Sequence, residues 1–136
     1  MKVVIDTNLF VSAAINANSR QRLELALYND ALSILLDEAL LSEFVEVINR
    51  PKFRRYISAN QIIAFIDLIE RRSTFVTTTS TVDASPDPKD NFLLALCMDN
   101  QADFLLTGNK RDLLDLKQFG KTKILTLTDF LKLFPG

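Results

Sequence analysis

Histidine is absent from this chain of 136 residues, and cysteine occurs once, as Cys97. The lack of histidine excludes the Ser-His and Cys-His nucleophile systems and the usual imidazole general base. A lone cysteine cannot form an intramolecular disulfide, and it leaves almost no ligands for zinc. The single thiol fits a reducing cytoplasm, and its apolar neighbours favour a core position over a nucleophile. Any catalytic chemistry must therefore depend on carboxylates.

Long hydrophobic runs and an excess of one charge are also missing. No stretch is long enough to span a bilayer, and Asp6 and Asn8 interrupt the apolar N-terminal run before it could form the core of a signal peptide. The net charge of -1 does not identify a polyanion partner. Acids collected at one site would nevertheless leave the remaining surface slightly basic. We expect a cytoplasmic protein without membrane association, for which RNA is not excluded as a partner.

Apolar runs alternate with helical patterns along the chain, and 48% of the residues are hydrophobic. This alternation predicts one α/β domain over residues 1–136, with a parallel sheet covered by helices. The predicted strands cover residues 2–6, 32–36, 74–77, 103–107 and 123–126. The predicted helices cover residues 9–15, 20–29, 38–49, 59–72 and 88–99. Ser58 is expected to cap the fourth helix, and Thr128 a last one that ends before Pro135.

Four acidic residues lie at positions that should meet at one edge of such a sheet. Asp6 ends the first strand, and Asp112 lies just beyond the fourth. Glu43 lies on the helix after the second strand, and Asp90 in the first turn of the helix before the fourth. Strand carboxyl ends share this edge, where ligands of open α/β sheets bind. Clustered carboxylates repel one another unless a cation compensates them, so the pattern predicts a site for Mg2+ or Mn2+, which prefer hard oxygen ligands.

Three of these acids, Asp6, Asp90 and Glu43, also have an ordinary structural explanation. Asp6 could simply cap the next helix, and Asp87 and Asp90 could both be caps. We assign that cap to Asp87 and the metal to Asp90. Glu43 could be a solvated helix residue, as most glutamates are. It lies at the border of the apolar arc of its helix, however, whereas Glu46 lies one step further toward water.

Three segments form an ordered set: VVIDTNLFVSA near the N-terminus, LLSEFVEVINRPKF in the middle, and DPKDNFLLALCMDNQADFLLTGNKRDLLDL toward the C-terminus. In this order and spacing they resemble PIN domains, specifically the VapC-like toxin components of bacterial toxin–antitoxin pairs. The resemblance runs across nearly the whole chain. It implies a PIN-like three-layer sandwich with about five parallel strands in the order 3-2-1-4-5. It also implies a Mg2+- or Mn2+-dependent endoribonuclease that is often a homodimer and often inhibited by an antitoxin partner.

The resemblance assigns metal binding and catalysis to the four acids, and a supporting role to Asn8 and Thr107. One position departs from the family pattern. Many close relatives have Thr-Gly-Asp where this chain has Thr107-Gly108-Asn109, so an acid is missing there. Other PIN proteins have Asn at that position and an Asp three residues later, as Asp112 is here. Asn109 is therefore assigned a supporting role, and weaker metal binding than usual is one expected consequence.

A basic segment at residues 50–56 interleaves cations with aromatic residues: Arg50, Lys52, Phe53, Arg54, Arg55 and Tyr56. That mixture suits single-stranded nucleic acid, because cations contact phosphates and aromatic rings stack on bases. The alternative is that Arg50 complements a helix C-terminus while Phe53 and Tyr56 pack into the core. Lys110 and Arg111, close to the predicted metal site, are equally good candidates for phosphate contacts.

Three other functions fit parts of the same pattern. A phosphatase of the haloacid dehalogenase type also has an acid after its first strand, but it needs a second Asp where this chain has Asn8. A PIN fold that has lost catalysis and only binds RNA or protein is favoured by Asn109. A purely structural role for the acids predicts no stabilisation by metal.

Overall fold

The computed structural model describes residues 1–108 and 110–134. Its middle strand is β1 (Lys2–Ile5), which pairs in parallel with β2 (Ser33–Leu36) on one side and β4 (Phe104–Thr107) on the other. A parallel strand buried on both faces needs a continuous apolar run rather than an alternating pattern. The runs VVI, ILL and FLL provide this, and all nine side chains are buried. The middle of the sheet is therefore set by local sequence.

Within the described residues the sheet has the order β3-β2-β1-β4-β6-β5. β3 (Ser73–Phe75) pairs in parallel with β2, and β6 (Thr122–Thr126) pairs in parallel with β4. β6 is the strand that was predicted as the fifth. The five parallel strands therefore confirm the predicted α/β architecture and the predicted order 3-2-1-4-5. A further strand, β5 (Gln118–Phe119), was not predicted and pairs antiparallel with β6 at one edge. A strand of two residues is too short to produce a periodic signal.

Helices flank the sheet, and most begin at a side-chain cap. They are α1 (Thr7–Ile15), α2 (Ala17–Leu27), α3 (Glu38–Ile48), α4 (Ala59–Arg72), α5 (Pro88–Asp99), α6 (Arg111–Leu114) and α7 (Leu127–Leu133), with a 3-10 turn at Pro51–Phe53. The first two helices begin earlier than predicted, because Asp6 and Asn16 cap them. No helix in these residues is both long and apolar enough to cross a bilayer.

The predicted caps are correct for α4 (Ser58) and α5 (Asp87) and wrong for α7. Ser58 caps α4 through a capping box with Gln61. The predicted cap Thr128 is wrong, because the Thr126 hydroxyl accepts the hydrogen bond from the Asp129 N–H at 3.0 Å. Strand β6 therefore runs directly into α7 without a linker. Helix α7 ends at Leu133, and Pro135, predicted to follow its end, lies outside the described residues.

Aromatic packing fixes the helices that carry two of the predicted site residues. Phe10 of α1 and Phe44 of α3 meet edge to face with ring centroids 5.9 Å apart, and Phe65 of α4 continues the contact at the same spacing. Edge-to-face pairs add to the stabilisation from burial alone. The start of α1, next to Asp6, and the middle of α3, next to Glu43, are therefore held by one core cluster.

Candidate active site

Asp6 lies where β1 ends and α1 begins, and its side chain is only 5% exposed. One carboxylate oxygen, Oδ1, accepts a hydrogen bond from the Asn8 N–H at 3.3 Å. The other, Oδ2, accepts one from the Thr107 hydroxyl at the end of β4, at 2.9 Å. Asp6 therefore caps α1, as the alternative to metal binding predicts. A hydrogen bond also connects it to the neighbouring strand β4. Thr107 contacts Asp6 through its hydroxyl and Asn8 through its backbone N–H, and the supporting role predicted for both at a metal site stays a prediction.

The electrostatic surroundings of Asp6 contain other charges of the site. Burial is the main cause that raises the pKa of the Asp6 carboxyl above its usual value, and the Asp90 carboxylate raises it further. The hydrogen bonds from Thr107 and Asn8 and the positive charge of Lys110 act in the opposite direction. The Asp90 carboxylate is therefore close enough to affect the pKa of Asp6.

Asp90 lies in the first turn of α5 and is completely buried. Asp87 caps this helix by accepting a hydrogen bond from the Lys89 N–H at 3.0 Å, which confirms the predicted cap. The metal role assigned to Asp90 stays a prediction. The Ser85 hydroxyl donates to Asp90 Oδ2 at 3.0 Å. The other oxygen, Asp90 Oδ1, accepts no hydrogen bond within the described residues. A buried carboxylate oxygen without such a partner is unusual and points to a function.

Lys110 provides the positive charge nearest to these acids. Its Nζ atom makes a short hydrogen bond to Asp87 Oδ2 and lies 2.9 Å from Asp90 Oδ1, without the alignment of a hydrogen bond to the latter. Burial lowers the pKa of the Lys110 ammonium, but the contacts with Asp87 and Asp90 outweigh this effect and raise its pKa overall. Lys110 is therefore a charged group among the carboxylates. Sequence reasoning considered it only as a phosphate contact.

The other two predicted ligands, Glu43 and Asp112, make no hydrogen bond or salt bridge to Lys110 in the described residues. Glu43 is half-buried on α3, while Glu46 is exposed and forms a salt bridge with Arg50 at 3.0 Å. This agrees with the prediction that Glu46 lies further toward water than Glu43. Asp112 is exposed on α6, and Asn109 lies outside the described residues. In residues 1–108 and 110–134, no three acidic or cysteine side chains lie close enough to hold a metal ion together. The assignment of Glu43 and Asp112 as ligands stays a prediction.

The chemistry of the buried acids fits a hard divalent cation. Asp6 and Asp90 are buried, the half-buried Asp87 shares the Lys110 ammonium with Asp90, and Asp90 Oδ1 accepts no hydrogen bond in the described structure. Oxygen donors of this kind suit Mg2+ or Mn2+. Asp6 and Asp90 are the residues that would hold such an ion. When bound, it would lower the pKa of a water molecule and stabilise the charge that develops on a phosphodiester.

Sequence reasoning missed a buried acid at the end of β2. Asp37 is 5% exposed and caps α3, and its Oδ1 accepts from the Leu40 N–H at 2.8 Å. Its Oδ2 accepts from the Thr78 hydroxyl at 2.7 Å. The signal was present, because Asp37 follows an apolar strand just as Asp6 does. Both of its oxygens have protein partners, so Asp37 has the geometry of a structural residue.

The basic segment at residues 50–56 has a mixed environment. Asn49, rather than Arg50, donates its side chain to a carbonyl at the end of α3, at 2.7 Å from the Val45 oxygen. Phe53 packs against the core, whereas Tyr56 is 55% exposed. The alternative prediction that both aromatic residues pack into the core is therefore correct for Phe53 and wrong for Tyr56. The RNA contacts predicted for this segment stay predictions, as do those of Lys110 and Arg111.

The sequence profile of the PIN domain family matches residues 2–111, and the chain belongs to that family. An uncharacterized protein of Methanocaldococcus jannaschii, MJ1680, is 28% identical over 123 residues, which cover 89% of this chain and 78% of that protein. The crystal structure of VapBC2 from Rickettsia felis, bound to a DNA fragment from their promoter, has a chain similar to this one with a TM-score of 0.62. That similarity covers 93% of this chain and 98% of the other at 15% identity, and it supports the PIN-like fold.

Proposed function

We propose that this protein is a Mg2+- or Mn2+-dependent endoribonuclease. The observation that carries the proposal is the buried acidic site at the carboxyl ends of β1 and β4, where Asp6 and Asp90 interact around one lysine. A protein gains no stability from burying interacting carboxylates unless a cation compensates them, so such a site is a candidate for function. PIN domains are in general nucleases, and this chain has the PIN fold. Asp6 and Asp90 would bind the ion, and Glu43 and Asp112 are the proposed remaining ligands.

RNA is the proposed substrate, and the basic segment at residues 50–56 is one proposed contact surface. The Arg55 guanidinium lies 5.8 Å from the Tyr56 ring centroid, and Tyr56 is exposed, so a base could stack beside a cation there. Arg54 is exposed as well. Lys52 lies 5.1 Å from the Phe53 ring centroid. These positions support a single-stranded substrate whose phosphates contact arginine and lysine.

An antitoxin protein is the proposed partner, and a homodimer the proposed assembly, in the cytoplasm. The similarity to a chain of the VapBC2 structure, which is bound to a DNA fragment from their promoter, supports the antitoxin partner. A binding module that has lost catalysis is the alternative function. It is favoured by the exposure of Asp112 and by the lack, within the described residues, of three acids close enough to hold a metal ion together.

The test is hydrolysis of a mixed-sequence single-stranded RNA by the purified protein with Mn2+, with Mg2+ and with EDTA. Asp90→Asn, prepared in the same way, controls for contaminating nuclease. We expect cleavage that depends on metal and disappears in the variant. Cleavage that persists in EDTA or in Asp90→Asn would contradict the proposal. Absence of cleavage, together with absence of a thermal shift on adding Mn2+, would favour the binding module.

Glu43→Gln and Glu46→Gln are a matched pair on one helix that tests the third ligand. Each change removes one negative charge and keeps the side-chain shape. Because Glu43 is half-buried and Glu46 is exposed and paired with Arg50, only Glu43→Gln should reduce hydrolysis and Mn2+ binding. Equal effects of the two changes would remove Glu43 from the site.

A further inference from the structure

The Asp90 carboxylate is compensated in an unusual way. It is completely buried, and removing a carboxylate from water is costly unless a positive charge and hydrogen bonds replace the solvent. Ser85 supplies one hydrogen bond, to Oδ2. The compensation of Oδ1 comes from the Lys110 ammonium at 2.9 Å, which is not aligned as a hydrogen bond. Among the described residues, Asp90 Oδ1 therefore has a charge beside it but no aligned hydrogen-bond donor.

Lys110 has a second carboxylate within reach, and the two acids differ in exposure. Its ammonium donates a hydrogen bond to Asp87 Oδ2, which lies on a side chain that is 33% exposed, whereas the Asp90 side chain is 0% exposed. Lysine is a point charge on a flexible stem, so it can leave one partner and keep another. Lys110 can therefore give up Asp90 and remain paired with Asp87 near the surface.

We propose that Lys110 is a built-in counter-ion of Asp90, and that a divalent cation must displace its ammonium from Asp90 Oδ1 in order to bind. The identity of the competing cation rests on the proposed function. In the absence of metal, Lys110 keeps the site assembled by balancing a buried charge. When metal binds, the ammonium moves to Asp87 alone. The same lysine thus stabilises the metal-free protein and weakens its affinity for metal.

Lys110→Met tests this inference, with Lys89→Met as its control. Both changes remove one positive charge beside the same helix N-terminus, but only Lys110 contacts Asp90. The measurements are Mn2+ affinity by titration calorimetry and the melting temperature in EDTA. Lys110→Met should bind Mn2+ more tightly, on the order of tenfold, because a competing positive charge is removed, and it should melt at a lower temperature in EDTA. Lys89→Met should resemble the wild type in both.

The native protein provides a second measurement that does not depend on how a variant folds. The Lys110 ammonium can be followed by NMR of the side-chain nitrogen, in EDTA and during titration with Mg2+, which is diamagnetic. We expect a signal shifted and protected by its two carboxylates in EDTA, and a change toward a more solvated position as Mg2+ binds. Lys110→Gln, which keeps a hydrogen-bond donor but no charge, should also bind Mn2+ more tightly than the wild type.

The inference is wrong if Lys110→Met and Lys110→Gln bind Mn2+ no more tightly than the wild type, or if the NMR signal of Lys110 does not change with Mg2+. Weaker RNA binding with unchanged Mn2+ affinity would make Lys110 a phosphate contact instead. These results are separable from RNA hydrolysis. Tighter Mn2+ binding without any RNA cleavage would support the inference and contradict the nuclease. RNA cleavage by the wild type, with equal Mn2+ affinities of the wild type and the Lys110 variants, would support the nuclease and contradict the inference.

Discussion

Asp6 and Asp37 are placed alike in this protein and differ in their neighbours. Each follows a buried parallel strand, each caps the next helix, and each is 5% exposed. Each also accepts a hydrogen bond from a threonine hydroxyl on another part of the chain, Thr107 for Asp6 and Thr78 for Asp37. The two aspartates therefore share burial, capping and one kind of tertiary hydrogen bond.

The difference lies in the charges around them. Asp6 is influenced by Asp90 and by Lys110, and its pKa is raised chiefly by burial. Asp37 instead has close backbone and side-chain donors at 2.8 and 2.7 Å, one for each oxygen. Burial and capping alone do not make an acid functional. What distinguishes the candidate site is the convergence of further charged groups from α5 and from the segment after β4.

The largest expected effect that tests this comparison is on catalysis. Asp6→Asn should reduce Mn2+-dependent RNA hydrolysis at least about a hundredfold, since even loss of a group that supports a metal ligand costs up to that much. Asp37→Asn should leave hydrolysis close to the wild-type rate, because asparagine also caps helices and Asp37 lies outside the charged group. The initial rate of RNA cleavage at saturating Mn2+ measures both. Similar losses in the two variants would show that the two acids are not functionally different.

The next largest effect is on stability, where changing Asp37 should cost more than changing Asp6. Asp37→Ala should lower the free energy of unfolding by about 1–2 kcal/mol, because it removes the cap of α3. Asp6→Ala, measured in EDTA, should cost less, since losing its cap is offset by removing a buried charge that the Asp90 carboxylate repels. Urea unfolding of the two variants provides the values. A larger cost for Asp6→Ala would mean that the charge of Asp6 is well compensated without metal.

The two threonines form a matched pair for a smaller effect. Thr107→Val and Thr78→Val each remove one hydroxyl with little change of shape, and each should lower stability by about 1 kcal/mol. Only Thr107→Val should also weaken Mn2+ binding, up to about tenfold, because only its hydroxyl orients a proposed ligand. Calorimetric titration with Mn2+ distinguishes the two. Equal Mn2+ affinities would show that the Thr107 hydrogen bond supports the fold alone.

The smallest expected effect is the dependence of stability on pH, measured in EDTA. Because the pKa of Asp6 is raised in the folded state, its contribution is favourable below its usual pKa of 3.8 and is lost as pH rises through the folded value. Asp6→Asn should therefore gain stability relative to the wild type between acid and neutral pH. A difference that stays constant or falls with rising pH would contradict the raised pKa.

Asp99 provides a control, because its pKa is lowered in the folded state whereas that of Asp6 is raised. Hydrogen bonds from Ser80, and a further one from the Thr79 N–H, lower the pKa of this exposed carboxyl to about 2. Its stabilising contribution is present above 3.8 and is lost as pH falls through about 2. Asp99→Asn should thus be less stable than the wild type near neutral pH and approach it in strong acid. Thermal melts over the same pH series measure both variants.

Local sequence determined most of the fold. Continuous apolar runs specify β1, β2 and β4 as buried parallel strands, and the caps at Ser58 and Asp87 lie next to the helices they begin. The order of the five parallel strands follows from the resemblance to PIN domains and is confirmed. Thr128 was predicted in place of Thr126 because a strand that passes directly into a helix provides no turn signal between them.

The tertiary structure alone decided how the acids are compensated. Asp6 and Thr107 are 101 positions apart in sequence, and Lys110 reaches Asp87 from 23 positions away. Neither pairing has a periodic signal, because side-chain partners across a sheet edge depend on strand register and on the path of the loops. Sequence predicted that Asp6, Glu43, Asp90 and Asp112 lie near one edge, but it could not show that Lys110 pairs with the buried Asp90 and the half-buried Asp87. That arrangement exists only when β1, β4 and the start of α5 are packed together, which is why charge compensation had to be read from the fold.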